Sequence, residues 1–342
     1  DLTGSNTIEG VIVTAGELFA ASADALGSGT TTIVDSATLG VAGGLEIANA
    51  ITVDSGAGSL SVNSGTSTLT GTVSGAGAVT KVGSGALSLT AENTFESLSI
   101  GAGEVLAGTS SSLGLGTITV EDGATLGLDT GVDVTNPVVL EAGSENLSVA
   151  AGTATLSGDI SGEGFATKVG SGTLALNGSN SYGGLTISFG EIFAGNSTAL
   201  GLGTTTIQDG TTLGLGASID ITNEIVLDSA SGTFAVVAGS STLSGSITGA
   251  GFVNKTGSGT LALTGSNDFD GLTVSEGELF AGNTTGLGSG TVTVLDGATL
   301  GLQGNITAAN DVVLDSGEGL LSVETGTSTL SGVISSAGYA RK

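Results

Sequence analysis

Eight carboxylates stand at fixed intervals along this chain of 342 residues. Asp35, Asp122, Asp209 and Asp296 form one series with a spacing of 87. Asp54, Glu141, Asp228 and Asp315 form a second series with the same spacing, each trailing a member of the first by a constant offset. Grouped carboxylates can bind Ca²⁺, which takes several oxygen ligands in flexible geometry. They can also work as an acid/base pair on a glycosidic bond. Both chemistries need the second series folded beside the first. The eight residues are candidate Ca²⁺ ligands on that ground, although neither the EF-hand spacing nor a G-G-x-G-x-D nonapeptide occurs. As solvated turn residues they would repel one another by about 1 kcal/mol per close pair in water.

Catalysis has little to draw on. The chain has no His and no Cys, so it offers neither an imidazole base nor a thiolate nucleophile. The paired carboxylates recur in all four copies of the spacing, whereas a catalytic site breaks symmetry. Arg341 is the one arginine. The expectation is a protein that is not an enzyme and holds no cofactor apart from candidate Ca²⁺. A net charge of −27, from 32 acids and 5 bases, excludes nucleic acid as a partner, because phosphate binding needs clustered Lys and Arg. No run approaches the ~18 apolar residues of a membrane-spanning helix.

The elements that must position these carboxylates follow from the period. Lys81, Lys168, Lys255 and Lys342 are the four lysines, and they share the same spacing of 87. The repeats are 1–87, 88–174, 175–261 and 262–342, the last falling short of a full copy. Inside a copy, runs such as "GTVTVLDGATLGL" (290–302) alternate apolar and polar residues and end on glycine-containing turns. That pattern reads as short strands. Val13, Ile33, Val53 and Val73 recur at an even step, and Ile100 follows after a longer gap. A step of about 20 predicts an all-β fold, a β-solenoid or parallel β-helix running continuously over 1–342. It assigns four coils to each repeat, one of them long, and about sixteen in all. At about 4.8 Å per coil the rod would be about 75 Å long. An array of β-sandwiches is the competing architecture, but it supplies no such even step.

Other recurring residues have plain roles. Leu39, Leu126, Leu213 and Leu300 are expected to pair inside the core with Leu60, Leu147, Phe234 and Leu321. Three aromatic columns, Phe19/Phe193/Phe280, Phe95/Tyr182/Phe269 and Phe165/Phe252/Tyr339, read as core filler at wide corners, with sugar stacking as the alternative. T-x-T pairs such as Thr204/Thr206 read as outward strand positions. Each lysine reads as an exposed counter-charge to the acidic corners.

The segment "GSGTLALTGSNDFDGLTVSEGELFAG" (257–282), with its copies near 168–195 and 81–108, resembles the autotransporter-associated β-strand repeat. The residues that carry it are Gly257, Ser258, Gly259, Thr260, Leu261, Leu263, Gly265, Asn267, Gly271, Thr273, Val274, Gly277 and Leu279. Phe269 stands where that family usually has Tyr, which Tyr182 restores, while Ala91 and Ser97 replace glycines in the copy after Lys81. The resemblance implies an extracellular or bacterial cell-surface β-solenoid without catalytic residues. Two functions follow as expectations. One is a structural rod whose copies join head to tail into a filament through Asp1, Leu2, Tyr339, Arg341 and Lys342. The other is a segment of a large adhesin that binds surface glycans. No signal-peptide pattern opens the chain, which reads as a mature or excised piece.

Overall fold

A computed structural model describes residues 1–228, 231–315, 317–337 and 339–342. It is all strand, with no helix among the described residues. The strands run from two to ten residues and pair in parallel, giving a parallel β-solenoid. Alternation sets the faces: in Thr30–Ile33, Thr31 and Ile33 are buried while Thr30 and Thr32 face outward. β-Branched residues suit that half-buried pleated surface.

The fold forms two compact units, Asp1–Leu174 and Ala175–Lys342, each equivalent to two repeats. In the first unit a turn carries three strands, such as Ile51–Val53, Ala57–Ser61 and Thr66–Leu69. Each strand stacks on its counterpart one turn away. Val13 pairs with Ile33, Ile33 with Val53, Leu39 with Leu60 and Ile47 with Leu69. These ladders of like side chains are the core. Burying each Leu, Ile or Val in it stabilises the fold by roughly 1.5–3 kcal/mol.

The expected long coil is absent. Val73 pairs with Ile51 rather than Val53, and Ile100 pairs not with Val73 but with Lys81, which itself pairs with Leu60. The first strand of the second repeat, Leu98–Ile100, therefore lies on the column of the first repeat's second strand. Glu104–Ala107 likewise moves onto the third column, where Ala107 pairs with Leu89. With one rung carrying the chain from Val13 to Ile33, a repeat makes about four and one-third turns. The second repeat is rotated by one face relative to the first. Matching aliphatic positions cannot reveal this, because a lysine occupies the rung at which the columns change.

The second unit repeats the change. Leu213, Phe234, Lys255, Val274 and Val294 form one ladder, with Lys255 at the crossover. Here Ile247–Thr256 is a single strand, and its register shifts between Gly249 and Phe252. Leu126 pairs with Leu147 and Leu300 with Leu321, as the sequence implies.

Candidate functional site

The corners between strands hold the polar chemistry. Val120 pairs with Leu140 and Val294 with Leu314, so Asp122 and Glu141, or Asp296 and Asp315, follow strand ends at one corner of neighbouring turns. Asp35/Asp54 and Asp209/Asp228 follow Ile33/Val53 and Ile207/Leu227 in the same way. The first member of each pair has a structural task. Oδ1 of Asp35, Asp122, Asp209 and Asp296 accepts the main-chain amide of Ala57, Ser144, Ser231 and Glu318, at 3.2, 2.9, 3.2 and 2.8 Å. Each carboxylate thus ties its turn to the next one along the chain. Asp54 accepts the amide of Ser55. Among the described residues no group of three acidic side chains is placed to hold a metal ion.

Two asparagine columns do similar work inside the corners. Asn49, Asn136, Asn223 and Asn310 each donate through Nδ2 to two carbonyls of the preceding turn, for Asn223 those of Gly201 and Gly203 at 3.1 and 2.8 Å. Asn6, Asn93, Asn180 and Asn267 donate to Ala25, Ser112, Ala199 and Gly286. Asn93 and Asn267 also accept the amides of Val73 and Ile247. A buried carbonyl without a donor costs about 1–3 kcal/mol, so these amides close each corner. The first column had no role in the sequence reading, although its regular phase in the repeat is the signal that reveals it. Beside it, Gly114 has φ 80°, and a Cβ there would lie 2.4 Å from the ring of buried Phe95. Only glycine fits that turn.

The lysines overturn the expectation of an exposed counter-charge. Lys81, Lys168 and Lys255 are fully buried. Lys81 Nζ donates to the carbonyls of Gly83 and Ala102 at 2.7 and 3.0 Å. Lys255 Nζ donates to Thr256, Gly257 and Glu276 at 3.0, 2.7 and 3.0 Å, and Lys168 Nζ to Val169 and Gly170. The aliphatic stem fills a core rung, and the ammonium ends in a nest of carbonyl oxygens at the corner. Burial pulls the ammonium of Lys81 down to about 8. It does the same to Lys255, where Glu276 and Glu278 oppose it. Only the fourth lysine, Lys342, is exposed.

The aromatic columns divide. Phe95, Tyr182 and Phe269 are buried, and Tyr182 donates its hydroxyl to the Ala199 carbonyl. Phe165, Phe252 and Tyr339 are not core filler: they are 56, 55 and 80% exposed. They sit at outward positions of their strands, and the ring of Phe252 lies over Gly271 in the next turn. In the second unit an open groove of about 580 Å³ is lined by Ser197, Asp220, Thr260, Glu278, Gln303 and Glu324. Gln303 Nε2 donates to Glu324 at 2.6 Å. Of the residues expected at assembly ends, Asp1 and Lys342 are exposed, and Leu2 bridges to Ala20. Arg341 pairs with Glu318 at 3.5 Å, an exposed contact worth at most about 1 kcal/mol.

The stretches that contain the lysine rung and the closing asparagine are the ones that match a known family. Residues 79–126, 167–191 and 253–279 match the family model described as the passenger-associated-transport-repeat. The chain carries autotransporter passenger repeats. Each matched stretch takes in the buried lysine (Lys81, Lys168 or Lys255), the buried asparagine (Asn93, Asn180 or Asn267) and the glutamate (Glu104, Glu191 or Glu278) that opens the strand that follows. A curated relative, the adhesin BmaC autotransporter of Brucella suis biovar 1 (strain 1330), is 30% identical over 304 residues. The similarity covers 73% of this passenger-repeat chain and 9% of that adhesin. No solved structure matches the chain.

Proposed function

We propose that this passenger-repeat chain is a non-enzymatic solenoid segment displayed at the bacterial cell surface or outside the cell, and that it serves adhesion. The observation that carries the reading is the fate of the recurring polar side chains. Asp35, Asp122, Asp209 and Asp296 and the corner asparagines are bonded to main-chain groups of neighbouring turns, and the buried lysines to corner carbonyls, which is a holding role. The relative's description as an adhesin supports the same reading. What faces outward suits carbohydrate: the exposed rings of Phe165 and Phe252, and a groove of hydroxyls, carboxylates and one primary amide. Its charge disfavours anionic sugars and suits neutral or amine-bearing ones. A glycan array probed with the purified chain tests this. Binding to neutral or amino sugars that is lost in Phe252→Ala supports the reading, and cleavage of a polysaccharide would overturn it.

Head-to-tail joining is the second reading, favoured by apolar side chains at the last turn. Val333 and Ile334 are exposed, and Leu300, Leu302, Leu321 and Leu330 line an apolar groove of about 400 Å³ with Ile334. A parallel strand from another copy, or from chain that follows in a longer protein, would cover them. Sedimentation velocity separates the two cases. Concentration-dependent growth means copies join, and a fixed monomer means they do not.

A further inference from the structure

Glu145 is where the regularity of the repeats breaks. Residues at the same phase are Gly58, Gly232 and Gly319. Those strands have no room for a side chain in their present packing: a Cβ on Gly58 would lie 2.9 Å from both Ile33 and Val53, and one on Gly232 2.9 Å from Leu227. The second repeat places a glutamate at this inward position of Ser144–Ser148. It is fully buried, and neither carboxylate oxygen receives a hydrogen bond from another residue. The point that a Cβ would take on Gly164 lies 2.0 Å from the Glu141 carbonyl oxygen and 2.2 Å from Glu145 Oε2. Two acceptor oxygens thus converge on one small space.

The surroundings are acidic on both sides. Towards Thr125–Leu128, whose Thr125 pairs with Asn146, stand Glu121 and Asp122. Glu141 precedes the strand itself. On the other side Glu145 pairs with Ala166, after Glu163 and before Lys168, whose ammonium goes to the Val169 and Gly170 carbonyls.

We propose that Glu145 is a proton-binding site in the core of the second repeat, held as the neutral acid with its hydroxyl directed at the Glu141 carbonyl, and that losing this proton loosens the turn 141–144 and the strand after it. Burial, opposed by its own main-chain amide and reinforced by Asp122 and Glu141, pushes its pKa up to about 7 from 4.5. The folded state then binds a proton between pH 4.5 and 7 that the unfolded state does not. Stability is therefore lost as pH rises through that window. The device makes one turn tight in mild acid and loose above neutrality.

Hydrogen exchange of the full chain tests this, read as protection of peptides spanning 141–148 at pH 5 and pH 7.5 and constant ionic strength. In the wild type, protection should fall on the order of a hundredfold between the two. In Glu145→Gln, which cannot ionise, and in Glu145→Gly, which restores the residue of the sister repeats, it should not fall. Equal pH dependence in all three chains overturns the proposal. So does recovery of wild-type protection at pH 7.5 on adding CaCl₂, which would make this a cation site.

Discussion

Lys81 and Ile100 are register neighbours across two parallel strands although they belong to different repeats. With Leu60 on its other side, Lys81 occupies the rung where one repeat's second column becomes the next repeat's first. Lys255 has the same place between Phe234 and Val274. A fully apolar residue would fill the rung but could not reach the corner carbonyls. Lysine does both, because its stem is apolar and its head is a triple donor.

Lys255→Met should keep the core volume yet leave the carbonyls of Thr256, Gly257 and Glu276 without their donor. A loss of about 3 kcal/mol in urea unfolding is expected, and Lys255→Ala should cost more by opening a cavity. The pH dependence has a definite sign. With Lys81 and Lys255 near 8 when folded and 10.5 when unfolded, the folded state sheds these protons first as pH rises. Their contribution to stability therefore improves from pH 8 towards 10.5. The Met variant should lose its share of that slope.

Asn223→Ala should cost about 2 kcal/mol, since two buried carbonyls lose their donor. Asn223→Asp should be worse at pH 7, where a carboxylate would face those carbonyls, and should recover in acid. Melting curves at pH 4 and pH 7 check both. Equal melting of the Asp variant at the two pH values would contradict the assignment.

Leu213→Asp places a charge in a ladder between Ile192 and Phe234 and should unfold its turn, at a cost above about 4 kcal/mol. Thr204→Ser, at an exposed position, should change stability by less than about 0.5 kcal/mol. Parallel denaturant titrations of the two variants test the inward and outward assignment.

The corner aspartates should act through main-chain amides rather than through Ca²⁺. At constant ionic strength the melting midpoint should be the same with Ca²⁺, Mg²⁺ or chelator, while Asp209→Ala lowers it by about 1 kcal/mol in stability terms. A midpoint raised by Ca²⁺ alone, and no longer raised in Asp209→Ala, would restore the metal reading.

Much of the fold was legible in the sequence because the inward residues are aliphatic and evenly stepped. Val13, Ile33 and Val53, and Leu39 with Leu60, announce their own ladders. The rotation between repeats was not legible, because its marker is Lys81, a residue whose charge argues for the surface until three-dimensional partners are known. Phe165 and Phe252 failed for the opposite reason: hydrophobicity argues for the core, and only the register shows that they point outward. Of the corner residues, the aspartates were visible as a periodic pair. Their task was hidden, since it depends on main-chain amides of the following turn that carry no sequence signal.

The claim on which the rest depends is that each repeat makes about four and one-third turns, with the columns changing at the lysine. A chain without cysteine allows a direct test by engineered disulfides. Thr80 and Ser99 face outward on adjacent rungs in register, a separation of about 4.8 Å that a disulfide can bridge. Thr72 would be the neighbour of Ser99 if Ile100 stacked on Val73 after a long coil. Under mild oxidation Thr80→Cys/Ser99→Cys should cross-link within the chain, and Thr72→Cys/Ser99→Cys should not. Cross-linking of the second pair and not the first would contradict the account.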